Sequence, residues 1–182
     1  MSSQWLKSLY QPIEMWISLL AKGLAWLTFL LVIIEFSVVA LRYLFDFPSI
    51  SLQESALWVF SFIFMLGTAC TLGFDEHVRV DIFYRKCSIQ FQTWVNLFGI
   101  IFLLFPVCFY LIYFSWHTVQ TSWVLNEASS EAGGLPALYL LKSLMIVMPI
   151  LLSIQGLAWM LRCIDTLLQK SIVKIEHQGM IL

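Results

Sequence analysis

The chain has 182 residues, of which 60% are hydrophobic and only 12% are charged, and its formal net charge at pH 7 is -1. It is too apolar throughout to be a soluble domain with a single core under a polar surface, so the composition indicates a membrane protein. Little chain remains outside its apolar runs, which leaves no room for a separate enzymatic or nucleic-acid-binding domain.

Four apolar runs are each long enough to cross a hydrocarbon core about 30 Å thick. We therefore predict an all-α membrane protein with four transmembrane helices. The predicted spans are 19–41, 52–74, 92–115 and 136–161. They form a transmembrane domain over 19–161, preceded by an N-terminal segment, 1–18, and followed by a tail, 162–182.

The N-terminal segment has an amphipathic pattern. Trp5, Leu9 and Ile13 share one face of a helix, which is typical of a short interfacial helix before the first span. A frayed terminus is the alternative, because Pro12 would interrupt the helix. The first run is too long for a removable secretory signal and is better interpreted as a permanent span.

The cationic residues are distributed unevenly between the two sides of the predicted bundle. Eight of the ten Lys and Arg residues flank the start of span one, the connection between spans two and three, or the end of span four. The connection 116–134 has none, although it contains Glu127 and Glu131. Because cationic segments resist translocation, we expect both termini to be cytoplasmic.

Three ionisable residues fall within the spans, where each should have a partner or a function. They are Glu35 in span one, Glu54 in span two and Lys142 in span four. Antiparallel threading allows Glu35 to pair with Lys142, and Arg42 to pair with Glu54. Glu54 could instead extend to the interface, and Glu35 could be protonated or face another protein.

Small and hydrogen-bonding residues within the spans indicate close helix packing rather than substrate contact. They are Gly67, Thr68, Ala69, Gln155 and Gly156. Pro106 and Pro149 predict kinks rather than long unwound segments. The polarity inside the spans is too sparse to predict an ion path.

The most charged stretch of the chain is "GFDEHVRVDIFYRKC", residues 73–87. We interpret it as a cytoplasmic elbow between spans two and three, in which Asp81 caps the next helix. A metal site made from Asp75, Glu76, His77 and Asp81 is a weaker alternative, because acidic clusters without a fixed ligand spacing are usually solvated turns. We expect no metal and no cofactor.

The four cysteines have no CxxC spacing and are expected to be free thiols. A quinone-linked thiol oxidoreductase would need paired cysteines on the outer side, so this class is disfavoured. No catalytic constellation is apparent, and we do not expect an enzyme.

Three stretches together resemble a known transporter family. They are "LRYLFD" at 41–46, "SLQESALWVFSFIFMLGTACTLGFDEHVRVD" at 51–81 and "GGLPALYLLKSLMIVMPILLSIQGLAWMLR" at 133–162. Their order is similar to that in the small membrane subunit of tripartite ATP-independent periplasmic (TRAP) transporters, the DctQ type. The family pattern falls on Arg42, Tyr43, Glu54, Gly67, His77, Arg79 and Asp81.

The resemblance implies a bacterial inner-membrane protein that binds a large DctM-type permease subunit. That subunit would carry the substrate and sodium sites, and a periplasmic binding protein would deliver a solute, often an organic acid. The small subunit would brace the immobile scaffold of the large one, with Glu35, Lys142 and Gln155 as further structural or interface candidates. The alternative is a free-standing proton-coupled exporter in which Glu35 binds a proton and a cationic substrate by turns.

Overall fold

The computed structural model of the chain describes the backbone of residues 2–74 and 88–179, and side chains from 5 to 168 within those ranges except that of residue 89. These residues form helices without any strand, which confirms the predicted all-α class. In chain order the helices are α1 (Ser2–Leu44), α2 (Ile50–Gly73), α3 (Ile89–Gly99), a π-helical turn (Ile100–Leu104), α4 (Phe105–Val124) and α5 (Leu138–Gly179).

Four helical segments of the described chain are long and apolar enough to cross a membrane, as the sequence predicts. They are Trp5–Leu44, Ile50–Gly73, Gln90–Val124 and Leu138–Leu168. The first and last helices are longer than their predicted spans. With 43 and 42 residues, α1 and α5 are each about 65 Å long, roughly twice the thickness of the hydrocarbon core.

The N-terminal segment is helical rather than frayed, and its helix continues without a break into the first span, because α1 runs from Ser2 and contains Pro12. The proline removes one backbone donor, but tertiary contacts compensate for that loss. One face of α1 forms an apolar groove with α5, lined by Pro12, Ile13, Trp16, Ile17, Leu20, Leu151 and Ile154. Between the same two helices, Glu14 Oε1 of α1 lies 3.7 Å from Arg162 Nη1 of α5.

The predicted irregularity at Pro106 takes the form of a π-helical turn directly before it. Since Pro106 has no N–H, the helix cannot continue its regular hydrogen bonding across this point. The N–H of Phe105 instead donates to the carbonyl of Ile100, five residues earlier. Gly156 packs beside this turn, where an added Cβ would lie 2.7 Å from Leu104 Cδ2. The small residue therefore lets α5 approach the turn closely.

The helix α5 contacts each of the other long helices, and α1 also packs along α2. A buried cluster joins α1 to α2 through Ile17, Leu24, Ala69 and Cys70, with Leu151 of α5 packed against it. Ala69 and Ala158 are completely buried, which fits the small residues expected where membrane helices come close.

Candidate functional site: polar contacts at the two ends of the bundle

Charged and polar contacts concentrate at two ends of the bundle, which we name by their connections. The loop end carries the connections 45–49 and 125–137, and the terminal end carries the start of α1 and the end of α5. Because consecutive helices run antiparallel, these ends lie on opposite sides of the predicted membrane.

Glu54 holds the 125–137 connection against the first turns of α2. Its Oε2 accepts a hydrogen bond from the backbone N–H of Leu135 at 2.6 Å, and its Oε1 accepts one from the hydroxyl of Ser129. Ser51, one turn earlier on α2, donates to the carbonyl of Gly133 at 2.6 Å. Two polar residues of α2 thus fix the conformation of a distant loop.

The docked loop is also hydrogen-bonded internally. The N–H of Ser129 donates to the carbonyl of Leu135 at 3.2 Å, and the N–H of Gly134 donates to that of Glu131 at 3.0 Å. Gly133 has φ +84°, a conformation that favours glycine, and an added Cβ at Gly134 would lie 2.8 Å from Glu54 Oε1. The "GG" pair therefore permits both the turn and its close approach to Glu54.

Lys142 pairs with Glu127, with Nζ 2.5 Å from Oε2. The helix α4 ends in a Schellman motif that positions this carboxylate: Asn126 has φ 47°, and the N–H of Glu127 donates to the carbonyl of Ser122 at 3.1 Å. The hydrogen bond from Lys142 lowers the pKa of Glu127 from its ordinary value. The alternative in which Glu35 pairs with Lys142 is therefore wrong, because a loop carboxylate lies closer to the ammonium.

The expected pair between Arg42 and Glu54 is also absent. Arg42 Nη2 donates instead to Gln53 Oε1 at 3.3 Å, while both carboxylate oxygens of Glu54 are taken by the loop. The sequence indicates two acceptors at the start of α2 but not which of them faces α1. Tyr43, next to Arg42, is exposed.

Glu35 takes part in neither the Lys142–Glu127 pair nor the Arg42–Gln53 hydrogen bond. It is exposed and lines a cavity of about 540 Å³ between α1 and α2, together with Gln53, Glu54 and the loop residue Glu131. Leu57 and Phe60 form part of its apolar wall. The structure thus brings three carboxylates to one cavity at the loop end.

At the terminal end, Gln155 is 2% exposed, and its Oε1 accepts no hydrogen bond from the residues that the structure describes. The side chain lies where α1, α2 and α5 meet, beside Ile17 and Gly73. Gly67 of α2, a second packing candidate, is half-buried where α2 contacts α1. An added Cβ there would be 3.9 Å from Leu24 Cδ1. Both residues pack within the chain.

Asp165 is buried at the terminal end and was not identified as a candidate from the sequence. Its position one turn after Arg162 places it at the extension of α5 beyond the predicted span. An acidic residue so close to the end of the last apolar run could have indicated this position, but residues 162–182 were interpreted as a tail. His77, Arg79 and Asp81, and the weaker metal-site hypothesis with Asp75 and Glu76, lie outside the described residues.

Four long apolar helices with short connections define a multi-pass membrane protein. The family model described as "Tripartite ATP-independent periplasmic transporters, DctQ component" matches residues 30–166, about three quarters of the chain. The chain belongs to this family, which confirms the resemblance drawn from its motifs, and it is a small membrane subunit of a TRAP transporter. No curated protein and no solved structure matches it significantly.

Proposed function

We propose that this subunit braces a large DctM-type permease subunit in the bacterial inner membrane during sodium-coupled uptake of a small solute, often an organic acid, delivered by a periplasmic binding protein. The chain itself neither transports nor catalyses. Both termini face the cytoplasm, with 1–18 and 162–182 as the cytoplasmic segments. The loop end then faces the periplasm.

The observation that carries this proposal is the fixed loop end. Glu54 and Ser51 bind the 125–137 connection, and the Lys142–Glu127 pair joins that connection to α5. A scaffold against which a transport domain moves must keep its own helices in one arrangement. Hydrogen bonds and an ion pair between distant segments support such a role better than an alternating path through this chain.

Proteoliposomes test the proposal directly. The large subunit, the binding protein and a sodium gradient should drive solute uptake only when this chain is also present. The chain reconstituted alone should move neither solute nor a lipophilic cation. If it exports a lipophilic cation alone, and Glu35→Gln abolishes that export, the proton-coupled exporter is correct and the scaffold proposal is wrong.

A further inference from the structure

Glu35 is an ionisable side chain exposed on the outer surface of a membrane-spanning helix. It lies seven residues before Arg42, about 10 Å along the helix axis towards the membrane centre. Val32, Phe36 and Val39 around it are exposed at 61%, 73% and 52%. The carboxylate is therefore set in an apolar surface well below the connection.

The cations of the described loop end do not neutralise Glu35. Lys142 pairs with Glu127, and Arg42 donates to Gln53. A carboxylate on the hydrocarbon-facing surface of a membrane span needs a counter-charge. Within the part of the chain that the structure describes, no ion pair supplies that charge.

The cavity beside Glu35 has the chemistry to receive a long cationic side chain. Glu35, Glu54 and Glu131 line it, and no Lys or Arg is among its described lining residues. Leu57 and Phe60, more than half exposed, provide an apolar wall. Lys and Arg bury their methylene stems on such surfaces while their charged heads seek polar groups.

We propose that Glu35 forms an ion pair with a Lys or Arg of a transmembrane helix of the large permease subunit. This helix packs on α1 and α2 at the cavity that Glu35 lines. The inference rests on the proposed function. A lipid amine fits less well, because headgroups remain at the interface, above the depth of Glu35. The depth of this carboxylate therefore favours a protein helix, rather than a lipid, as its partner.

The test measures how much large subunit co-purifies per molecule of this chain from membranes containing both. Glu35→Gln should lower the ratio about tenfold, because the partner cation then lies unpaired in the membrane, and Glu35→Asp should retain part of it. Asp46→Asn is the matched control: it removes a carboxylate from the exposed 45–49 connection at the same end of the bundle but outside the cavity, and asparagine tolerates the φ of 49° at this position. This variant should leave the ratio unchanged.

Expression without the large subunit distinguishes a role of Glu35 in binding that subunit from a role in the stability of this chain. Alone, the Glu35→Gln chain should be as abundant and as heat-stable as the wild type, since no described contact is lost. Glu35→Lys should abolish co-purification, and Lys→Glu or Arg→Glu exchange at one position in the large subunit should restore it.

The outcomes distinguish the two proposals. If the wild-type chain does not co-purify with the large subunit, the proposed function fails. If it does, and Glu35→Gln co-purifies equally well, this inference is wrong while the proposed function stands. The inference is also wrong if Glu35→Gln destabilises the isolated chain as much as it weakens the complex, or if no exchange restores Glu35→Lys.

Discussion

Lys142 of α5 and Glu127 of the preceding connection form an ion pair with Nζ and Oε2 2.5 Å apart. Close to it, the indole N–H of Trp123 donates to Ser143 Oγ at 2.9 Å, and the rings of Trp123 and Tyr139 lie 4.6 Å apart. The end of α4 and the start of α5 are thus joined by charge, hydrogen bonding and ring contact. A lysine that enters a membrane span is in this way neutralised from the loop.

The Lys142–Glu127 pair predicts a pH-dependent stability. Because Lys142 lowers the pKa of Glu127 in the folded chain from the ordinary value of 4.5, the pair stabilises the fold above that value. This contribution to stability should decrease as the pH falls below 4.5 and be lost once the pH is below the lowered pKa of Glu127 in the folded chain. Thermal unfolding in detergent should show a higher Tm for wild type than for Glu127→Gln at pH 7, with the difference vanishing at low pH. A constant difference across this range would contradict the assignment.

Replacement of Glu54 should release the loop it binds. Glu54→Ala removes the acceptor for the Leu135 N–H and the Ser129 hydroxyl, so hydrogen exchange over residues 128–135 should accelerate about tenfold or more. Hydrogen exchange measured by mass spectrometry checks this result. Gln53→Ala, one residue earlier, should leave exchange in the loop unchanged. Equal exchange in wild type and Glu54→Ala would show that the loop holds its conformation without this carboxylate.

The sequence predicts the helices of this fold well because membrane spans depend on local composition. Four long apolar runs are sufficient to place four helices. A proline is not sufficient to place an irregularity, because a π-helical turn precedes Pro106, whereas Pro12 and Pro149 lie within continuous helices. The continuity of α1 through Pro12 was not predicted, because the contacts that accompany it lie between helices: an apolar groove with α5 and the Glu14–Arg162 pair. Such contacts join the two ends of the chain, and no local pattern contains them.

The side-chain partners were harder to predict than the helices. The sequence correctly selects Glu54 and Lys142 as residues that need partners, but antiparallel threading alone pairs them with Arg42 and Glu35. The actual partners are in the 125–137 connection, which folds back over the helix ends through the turn at Gly133. Depth in the membrane limits the choice of partner, whereas the loop conformation decides it.

Gly134 should not tolerate even a methyl group. An added Cβ would lie 2.6 Å from Ser129 Cβ and 2.8 Å from Glu54 Oε1, so Gly134→Ala must displace the loop. We expect a loss of about 1–3 kcal/mol in unfolding free energy, as for other overpacked sites. Unfolding in denaturant by circular dichroism measures this change. Gly23→Ala is the matched control, because its added Cβ meets nothing within 4 Å and alanine favours a helix. Equal stability of the two variants would refute the packing argument.

Gln155 should be replaceable by an apolar side chain of similar size. Among the described residues its buried Oε1 has no hydrogen-bond donor, so Gln155→Met removes an unsatisfied group at little cost in packing. The Tm should stay equal or rise, whereas Gln155→Ala should lower it by leaving a cavity. Thermal unfolding of the two purified variants checks this order. A large loss of stability in Gln155→Met would mean that the amide makes a contact essential to the fold.

The mass of the purified complex tests the central claim most directly. A tag on this 21.1 kDa chain should recover, from membranes that also contain the large permease subunit, a particle whose mass by native mass spectrometry equals the sum of the two subunits. Recovery of this chain without the large subunit, from membranes where both are abundant, would contradict the account.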